Sequence, residues 1–91
     1  MFLLDFRETA RRQRKKIAQR NPEVGRDIKE KIAWLVANAE TIGHEKMHGH
    51  DEQSLPSGQY RILYSLDRIK QMIIIEDIDK HDAAYRKLKR R

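Results

Sequence analysis

The spacing of apolar residues changes along this chain, and each spacing predicts an element of secondary structure. Phe2, Leu4 and Phe6 alternate with Leu3 and Asp5, and this predicts a short strand over residues 2–6. Apolar residues then recur at helical spacing over 9–19, where the other positions are mostly basic, and this predicts an amphipathic helix. Asn21 is a favoured N-cap and Pro22 a favoured first helical residue, so we expect a second helix from there to about Ala39.

The second half of the chain is predicted to supply most of a sheet. Residues 40–58 are polar and hold either a functional loop or a short irregular strand near Gln53 to Leu55. Alternation over 60–66 predicts a half-buried strand, and the apolar run 72–75 predicts a central one. A short helix is expected over 81–88. The order indicates an α+β fold, in which two N-terminal helices pack on one face of a small antiparallel β-sheet with a short C-terminal helix.

Length and composition limit the classes of protein that fit this pattern. The 91 residues suit a single domain, and 38% apolar with 37% charged residues predicts a small core under a densely charged surface. The absence of cysteine excludes disulfides, thiol catalysis and cysteine-ligated zinc. The apolar runs are far shorter than the roughly 20 residues that span a bilayer, and the N-terminus does not resemble a signal peptide. We therefore expect a cytoplasmic protein without membrane contact.

Charge gives the first indication of function. Twenty lysines and arginines against fourteen acidic residues give a net charge of +6, and the basic residues concentrate over 7–20 and 86–91. Solvated helix faces also produce such runs. Two basic blocks nevertheless favour a polyanionic partner, either a nucleic acid or an acidic protein.

Arg61 is the most informative single residue. It lies on the opposite face of its predicted strand from the apolar residues, so we expect it to emerge on the free face of the sheet. A guanidinium on a rigid strand presents fixed donors to a phosphate there. The competing interpretation is an ion pair with a neighbouring carboxylate, and the pattern alone favours it. His81 and Tyr85 share a face if their segment is helical, and an imidazole there can exchange a proton near neutral pH. Spacing alone favours a solvent-facing histidine and a tyrosine that covers the sheet edge.

The long polar segment holds further candidates. Glu45, if it lay near a phosphate-binding arginine, would act as a general base. His44, His48 and His50 raise the question of a metal site, but their spacing is loose and no carboxylate-rich scaffold surrounds them. We therefore expect neither a metal nor another cofactor. The phosphate-binding glycine loop and the common hydrolase motifs are also missing from the sequence.

Taken together, these segments resemble the RelE/ParE family of bacterial toxins from toxin–antitoxin systems. The most specific part is a Gly-x-Tyr-Arg-x-x-Tyr strand over 58–64, followed further along the chain by a segment with His81 and Tyr85. The Lys-Met-His-Gly step at 46–49, the opening strand and the apolar strand 72–75 also match. The resemblance therefore covers nearly the whole chain.

The resemblance implies a choice of activities. RelE-like members cleave mRNA in the ribosomal decoding site without a metal, whereas ParE-like members share the fold but poison DNA gyrase. A third alternative is an inactive module that binds an antitoxin and acts only as a co-repressor. We expect a ribosome-dependent endoribonuclease whose partners are a cognate antitoxin, the ribosome and mRNA, with operator DNA contacted only through the antitoxin.

The resemblance also implies roles for individual residues. RelE-like members place a strand arginine on the scissile phosphate, and Arg61 matches that position. They use a C-terminal tyrosine with a nearby basic residue, matched by Tyr85 and His81, and YoeB-like members use a glutamate as general base, matched by Glu45. The expected chemistry is attack of a ribose 2′-OH on the adjacent phosphate. Contacts to RNA and the ribosome are expected from the basic residues Arg11, Arg12, Lys15, Lys16, Lys46, Arg86 and Lys89.

Two short segments depart from the family pattern. The strand before Gly58 usually carries a lysine or arginine that faces the substrate, whereas residues 53–56 read Gln-Ser-Leu-Pro in this chain. The usual His-Arg pair before the tyrosine reads Lys80-His81. The first departure is the feature that most favours the gyrase-inhibitor alternative.

Overall fold

The computed structural model describes residues 2–41 and 52–80, which form two helices and four strands. In chain order the elements are β1 (Leu3–Phe6), α1 (Glu8–Arg20), α2 (Pro22–Asn38), β2 (Gln53–Ser57), β3 (Tyr60–Asp67) and β4 (Met72–Lys80). The predicted α+β class is confirmed, and of the two interpretations of the segment near Gln53 the strand is correct. The helix expected over 81–88 lies outside the described residues.

The four strands form one mixed sheet in the order β1-β4-β3-β2. Strands β2, β3 and β4 pair antiparallel, as expected, but β1 runs parallel to β4, with Leu3 opposite Met72 and Phe6 opposite Ile75. The sheet is therefore not antiparallel throughout. Alternation of apolar residues indicates a strand but not its direction, and the long helical connection after β1 permits parallel pairing.

Both helices pack on the same face of the sheet, as the sequence predicts. Asn21 caps α2, since its Oδ1 accepts a hydrogen bond from the backbone N of Val24 at 3.4 Å. The helices bury one side each, and the sheet buries the face beneath them. The buried members of this core are Phe2, Ala10, Ile28, Ile32, Leu35, Ala39, Leu55, Ile62, Tyr64, Ile73, Ile75 and Ile78.

The two helices approach each other most closely at Gly25 of α2. A Cβ atom built at Gly25 would lie 2.6 Å from the Cα of Ala18 on α1, so a larger residue requires a helix backbone to move. This contact fixes how α1 lies across the sheet, and hence where its basic side chains point.

A tight turn sets the register between β2 and β3. Gly58 has a φ of 59°, a left-handed conformation that glycine adopts without strain, and the turn brings Ser57 opposite Tyr60. Three residues further from the turn on each strand, the same register places Ser54 opposite Leu63. The turn therefore decides which β2 side chains lie beside Arg61.

Strand β4 continues beyond the last residue that β1 covers. Pairing with β1 ends at Phe6 and Ile75, and the β3–β4 register shifts nearby, between Leu63 and Tyr64, at a bulge. Past this point the Oε1 of Gln13 on α1 accepts a hydrogen bond from the backbone N of Ile78 at 2.8 Å. Beyond the end of β1, the Gln13 side chain of α1 therefore takes the place of a neighbouring strand as hydrogen-bond partner of the β4 backbone.

Candidate functional site

Arg61 lies on the sheet face opposite the helices. Its neighbours Ile62 and Tyr60 face the core, so alternation directs Arg61 to the other side, as the sequence predicts. The side chain is half-buried, and its Nη1 donates a hydrogen bond to the Oγ of Ser54 on β2 at 2.8 Å. Ser54 itself is 3% exposed. The guanidinium is therefore held by a buried hydroxyl on the neighbouring strand.

The sheet face around Arg61 is less open than the sequence suggested. Leu63 and Asp77, which are cross-strand neighbours on β3 and β4, are 1% and 3% exposed. The expectation of a free sheet face was wrong here. Alternation shows which face a side chain takes, but it does not show how deeply that face is buried.

Carboxylates lie close to Arg61 in the sheet. Asp79 of β4 is its cross-strand partner, and Asp77 lies two positions earlier on the same face of β4. On the described strands, Arg61 is the only cation on this face. Carboxylates weaken the local attraction for a phosphate, so a phosphate contact at Arg61 needs further cations from outside this face. The sequence identified Asp77 and Asp79 as part of an acidic stretch but not as members of a strand.

Two arginines of the N-terminal basic block turn toward the sheet. The Nε of Arg7 lies 3.0 Å from an oxygen of Glu76, and the other oxygen of Glu76 accepts a hydrogen bond from Ser65 Oγ at 2.6 Å. The guanidinium of Arg14 lies 5.5 Å from the centroid of the Phe6 ring, a cation–π distance. These arginines hold α1 to the sheet, so the sequence overestimated how much of the block faces a partner.

The remaining basic residues of α1 form an exposed surface. Arg11, Arg12, Lys15 and Lys16 are all exposed. The closest ion pair among them joins Arg12 to Glu8, at 3.2 Å, whereas Lys15 and Lys16 form none with the described parts of the chain. Exposed pairs of this kind contribute little. We call these four residues the α1 basic surface; their predicted contact with RNA stays a prediction.

A cleft of about 680 Å³ separates the C-terminal half of α1 from the β2–β3 turn. Among the residues that the structure describes, three cations line it, namely Lys16 and Arg20 of α1 and Lys80 at the end of β4. Sequence reasoning missed this cleft because Lys80 is brought to α1 only by the fold. The four-residue spacing of Lys16 and Arg20 was the one available signal, since it places both on one side of the helix.

No family model matches the chain, and no curated protein matches it. Solved structures do match. The isolated RelE toxin of E. coli has a TM-score of 0.72 at 19% identity, over 99% of this chain and 98% of that one. A YoeB dimer from Staphylococcus aureus has a TM-score of 0.69 at 19% identity, over 88% of this chain and 97% of that one. The chromosomal ParDE toxin–antitoxin system of P. aeruginosa gives 0.72 at 15% identity, over 88% and 96%.

The chain has the RelE/ParE-like fold. The resemblance that the strand around Arg61 suggested is thereby confirmed at the level of structure. RelE and ParDE structures match with the same TM-score of 0.72, so the RelE/ParE-like fold does not choose between the activities implied for the two groups.

Several predicted site residues of this RelE/ParE-like chain fall outside the described ranges. They are Glu45, Lys46, His81, Tyr85, Arg86 and Lys89, and their roles remain predictions. Within 2–41 and 52–80, histidine, aspartate and glutamate side chains form no group of three that could hold a metal. Helices in the same ranges are too short or too polar to cross a membrane.

Proposed function

We propose that this chain is the toxin of a toxin–antitoxin pair and that it cleaves mRNA on the ribosome. The observation that carries the proposal is the rigid placement of Arg61. It is a strand arginine held by the buried hydroxyl of Ser54 at 2.8 Å, in a fold shared with RelE and YoeB. A cation fixed in this way suits the recognition of one phosphate, because few of its rotamers are lost on binding.

The proposed reaction is an attack of a ribose 2′-OH on the adjacent phosphate. The 2′-oxygen bonds to phosphorus, the bond to the 5′-oxygen breaks, and the products are a 2′,3′-cyclic phosphate and a free 5′-OH. Glu45 or His81 would remove the 2′-OH proton, and Tyr85 or His81 would protonate the departing 5′-oxygen. Arg61 would stabilise the charge that develops on the phosphate oxygens.

Ser54 offers an interpretation of the departure in β2. Where the relatives were expected to carry a basic residue facing the substrate, this chain has a serine that accepts a hydrogen bond from Arg61. A well-oriented arginine partly offsets the loss of a second cation, because a guanidinium binds phosphate through two parallel hydrogen bonds when it is correctly turned.

Docking on the ribosome would be the task of the α1 basic surface. Its four side chains are exposed and lie on a helix on the other side of the sheet from Arg61. Contacts from such side chains to phosphates supply affinity without reading sequence. In this proposal Lys46, Arg86 and Lys89 add to the same interaction.

The proposed partner is an antitoxin with a segment that folds on binding. Matched structures include the E. coli RelBE toxin–antitoxin complex and the YoeB–YefM complex of Staphylococcus aureus. An acidic segment, disordered alone, would be attracted to the basic chain and order across it. Both proteins would act in the cytoplasm, where ribosomes are found.

A ParE-like gyrase inhibitor is the second candidate. The observation that favours it is the charge beside Arg61, since Asp79 pairs across from it in the sheet and β2 carries no cation. In that case Arg61 would serve the sheet as part of an ion-pair network, and the protein would have no cleavage chemistry.

Two measurements test the proposal. Single-turnover cleavage of a ribosome-bound message should yield ends with a 2′,3′-cyclic phosphate. A chelator of transition metals that leaves Mg²⁺ on the ribosome should not change the rate. His81→Ala and Tyr85→Phe should each lower that rate while ribosome binding is retained. In cells, pulse labelling should show protein synthesis stopping before DNA synthesis. If the message stays intact while DNA synthesis stops early and double-strand breaks appear, the ribonuclease proposal is wrong. The gyrase-inhibitor function is then supported in its place.

A further inference from the structure

The cleft between α1 and the β2–β3 turn gathers positive charge from two elements. Lys16 and Arg20 lie one turn apart on α1, and Lys80 ends β4. None of the three forms an ion pair with another described residue. Cations that converge on one concave opening without carboxylate partners attract an anionic ligand, and the low-dielectric walls concentrate the field there.

The uncharged part of the lining suits a flat, partly apolar group. Ile17, Val24 and Ile78 contribute aliphatic surface, and Tyr60 contributes an aromatic ring. Tyr60 is half-buried and packs against the core, so the fold restrains its ring. Bases of unpaired RNA stack on aromatic side chains held in this way.

Two carboxylates also line the cleft, and they limit what it can hold. Asp27 and Asp79 lower the net charge of the described part of the lining from +3 to +1. A run of phosphates would be repelled at these positions. A single nucleotide would not, because its base amino group or its 2′-OH can donate hydrogen bonds to a carboxylate.

The cleft and Arg61 lie at the same end of the sheet. Tyr60 precedes Arg61 on β3, and Lys80 follows Asp79, the cross-strand partner of Arg61, on β4. Because side chains alternate along a strand, Tyr60 and Arg61 point to opposite faces at this end. An RNA strand with one phosphate at Arg61 that passes around the sheet end would therefore reach the cleft.

We propose that this cleft binds one unpaired nucleotide of the message, with its phosphate between Lys16 and Arg20 and its base against Tyr60. The identity of the RNA as message rests on the proposed function, whereas the binding itself requires no cleavage. A base in a duplex cannot enter, since it must first leave its stack. An acidic protein segment is the poorer fit, because its carboxylates would be repelled by Asp27 and Asp79 and would leave the Tyr60 ring without a stacking partner.

The test is the binding of a short, labelled single-stranded RNA to the whole purified chain, followed by fluorescence anisotropy at several salt concentrations. The cleft variant combines Lys16→Gln with Arg20→Gln. The matched control combines Lys29→Gln with Arg26→Gln, which removes the same charges from exposed positions of α2 outside both the cleft and the α1 basic surface. We expect the cleft variant to bind about twenty-fold more weakly near 0.1 M salt, with a salt slope flatter by about 1.4. The control should lose about three-fold or less, because distant charges are screened.

A second variant separates the base from the phosphate. Tyr60→Leu should weaken single-strand binding by about ten-fold and leave the salt slope unchanged, because stacking does not release counterions. Tyr60→Phe keeps the ring and should bind as the wild type does. Binding of a duplex of the same sequence should not respond to either change. Circular dichroism shows whether Tyr60→Leu folds. If it does not fold, the RNA affinities of the cleft variant and its control test the inference without it.

Equal losses in the cleft variant and the control would overturn the inference. So would tighter binding of poly-glutamate than of RNA, lost in the cleft variant, since the cleft would then be a protein-docking site. If the cleft effects appear but ribosome-bound message is never cleaved, the proposed function fails and nucleotide binding stands. If cleavage occurs and the cleft variants bind RNA normally, the inference fails and the proposed function stands.

Discussion

The α1 basic surface and the sheet face around Arg61 differ in both charge and rigidity. On α1, Lys15 and Lys16 extend into solvent, where they form no ion pair with described residues. On the sheet, Arg61 is half-buried, bonded to Ser54, and opposite Asp79. Several exposed, flexible cations bind any polyanion without selectivity. One cation held in a fixed orientation instead positions a single phosphate. The density of charge along the sequence therefore indicates where RNA would dock, but it does not indicate where chemistry would occur.

The largest expected effect comes from removing the fixed cation. Arg61→Ala should lower the single-turnover cleavage rate by about 10²-fold or more, the usual cost of losing one stabiliser of transition-state charge. Arg61→Lys should recover only part of this, because an ammonium cannot donate two parallel hydrogen bonds. Ribosome affinity, measured alongside, should change little. If Arg61→Ala cleaved at the wild-type rate, Arg61 would have no role in the chemistry, and the proposed division between a docking surface and a catalytic residue would be wrong.

The α1 basic surface should respond in the opposite sense. Replacing Arg12, Lys15 and Lys16 with Ala should weaken ribosome binding and flatten its salt dependence by roughly one unit of slope per lost phosphate contact. The cleavage rate at saturating ribosome should stay close to that of the wild type, since no reacting group is touched. An unchanged slope would mean that this helix faces only solvent or the antitoxin.

The sequence predicted those parts of the fold that depend on burying one face. Helices α1 and α2 and strand β3 follow directly from apolar spacing, because a half-buried element repeats its apolar residues with its own period. Strand β4 was predicted only as far as Ile75. Its continuation to Lys80 was missed because Asp77 and Asp79 are acidic and the bulge interrupts the alternation.

The candidate site could be predicted only where it depends on one strand. The face of Arg61 follows from alternation within β3, but its partner Ser54 follows from the register that the turn at Gly58 sets. The cleft depends on how α1 crosses the sheet, which the contact at Gly25 decides. Neither the register between two strands nor the angle at which a helix crosses the sheet can be predicted from the spacing of residues along the chain.

A smaller effect should come from the hydroxyl that holds Arg61. Ser54→Ala should lower the single-turnover rate by about ten-fold, since a buried hydrogen bond to a charged group contributes about 1.5–3 kcal/mol. Ser54→Thr keeps the hydroxyl and should restore most of the rate. In the Arg61→Ala background, Ser54→Ala should have no further effect on cleavage. An additional loss there would show that Ser54 acts on something other than Arg61.

The smallest expected effect lies at the link between the two regions. Gln13→Ala removes the acceptor for the backbone N of Ile78 and should lower the free energy of unfolding by about 1 kcal/mol. Gln19→Ala on the same helix, at an exposed position, is the matched control and should be neutral. Urea unfolding of both variants measures this. Equal stabilities would show that α1 and β4 are held together by apolar packing alone.

The pairing of β1 with β4 has a consequence for how the chain is made. During synthesis β1 emerges first, yet its partners from Met72 to Ile75 belong to the strand that emerges last among the described elements. The sheet cannot close until that strand has left the exit tunnel, and contacts between such distant segments form slowly. A nascent chain that still lacks β4 therefore holds neither the Arg61–Asp79 pairing nor the cleft.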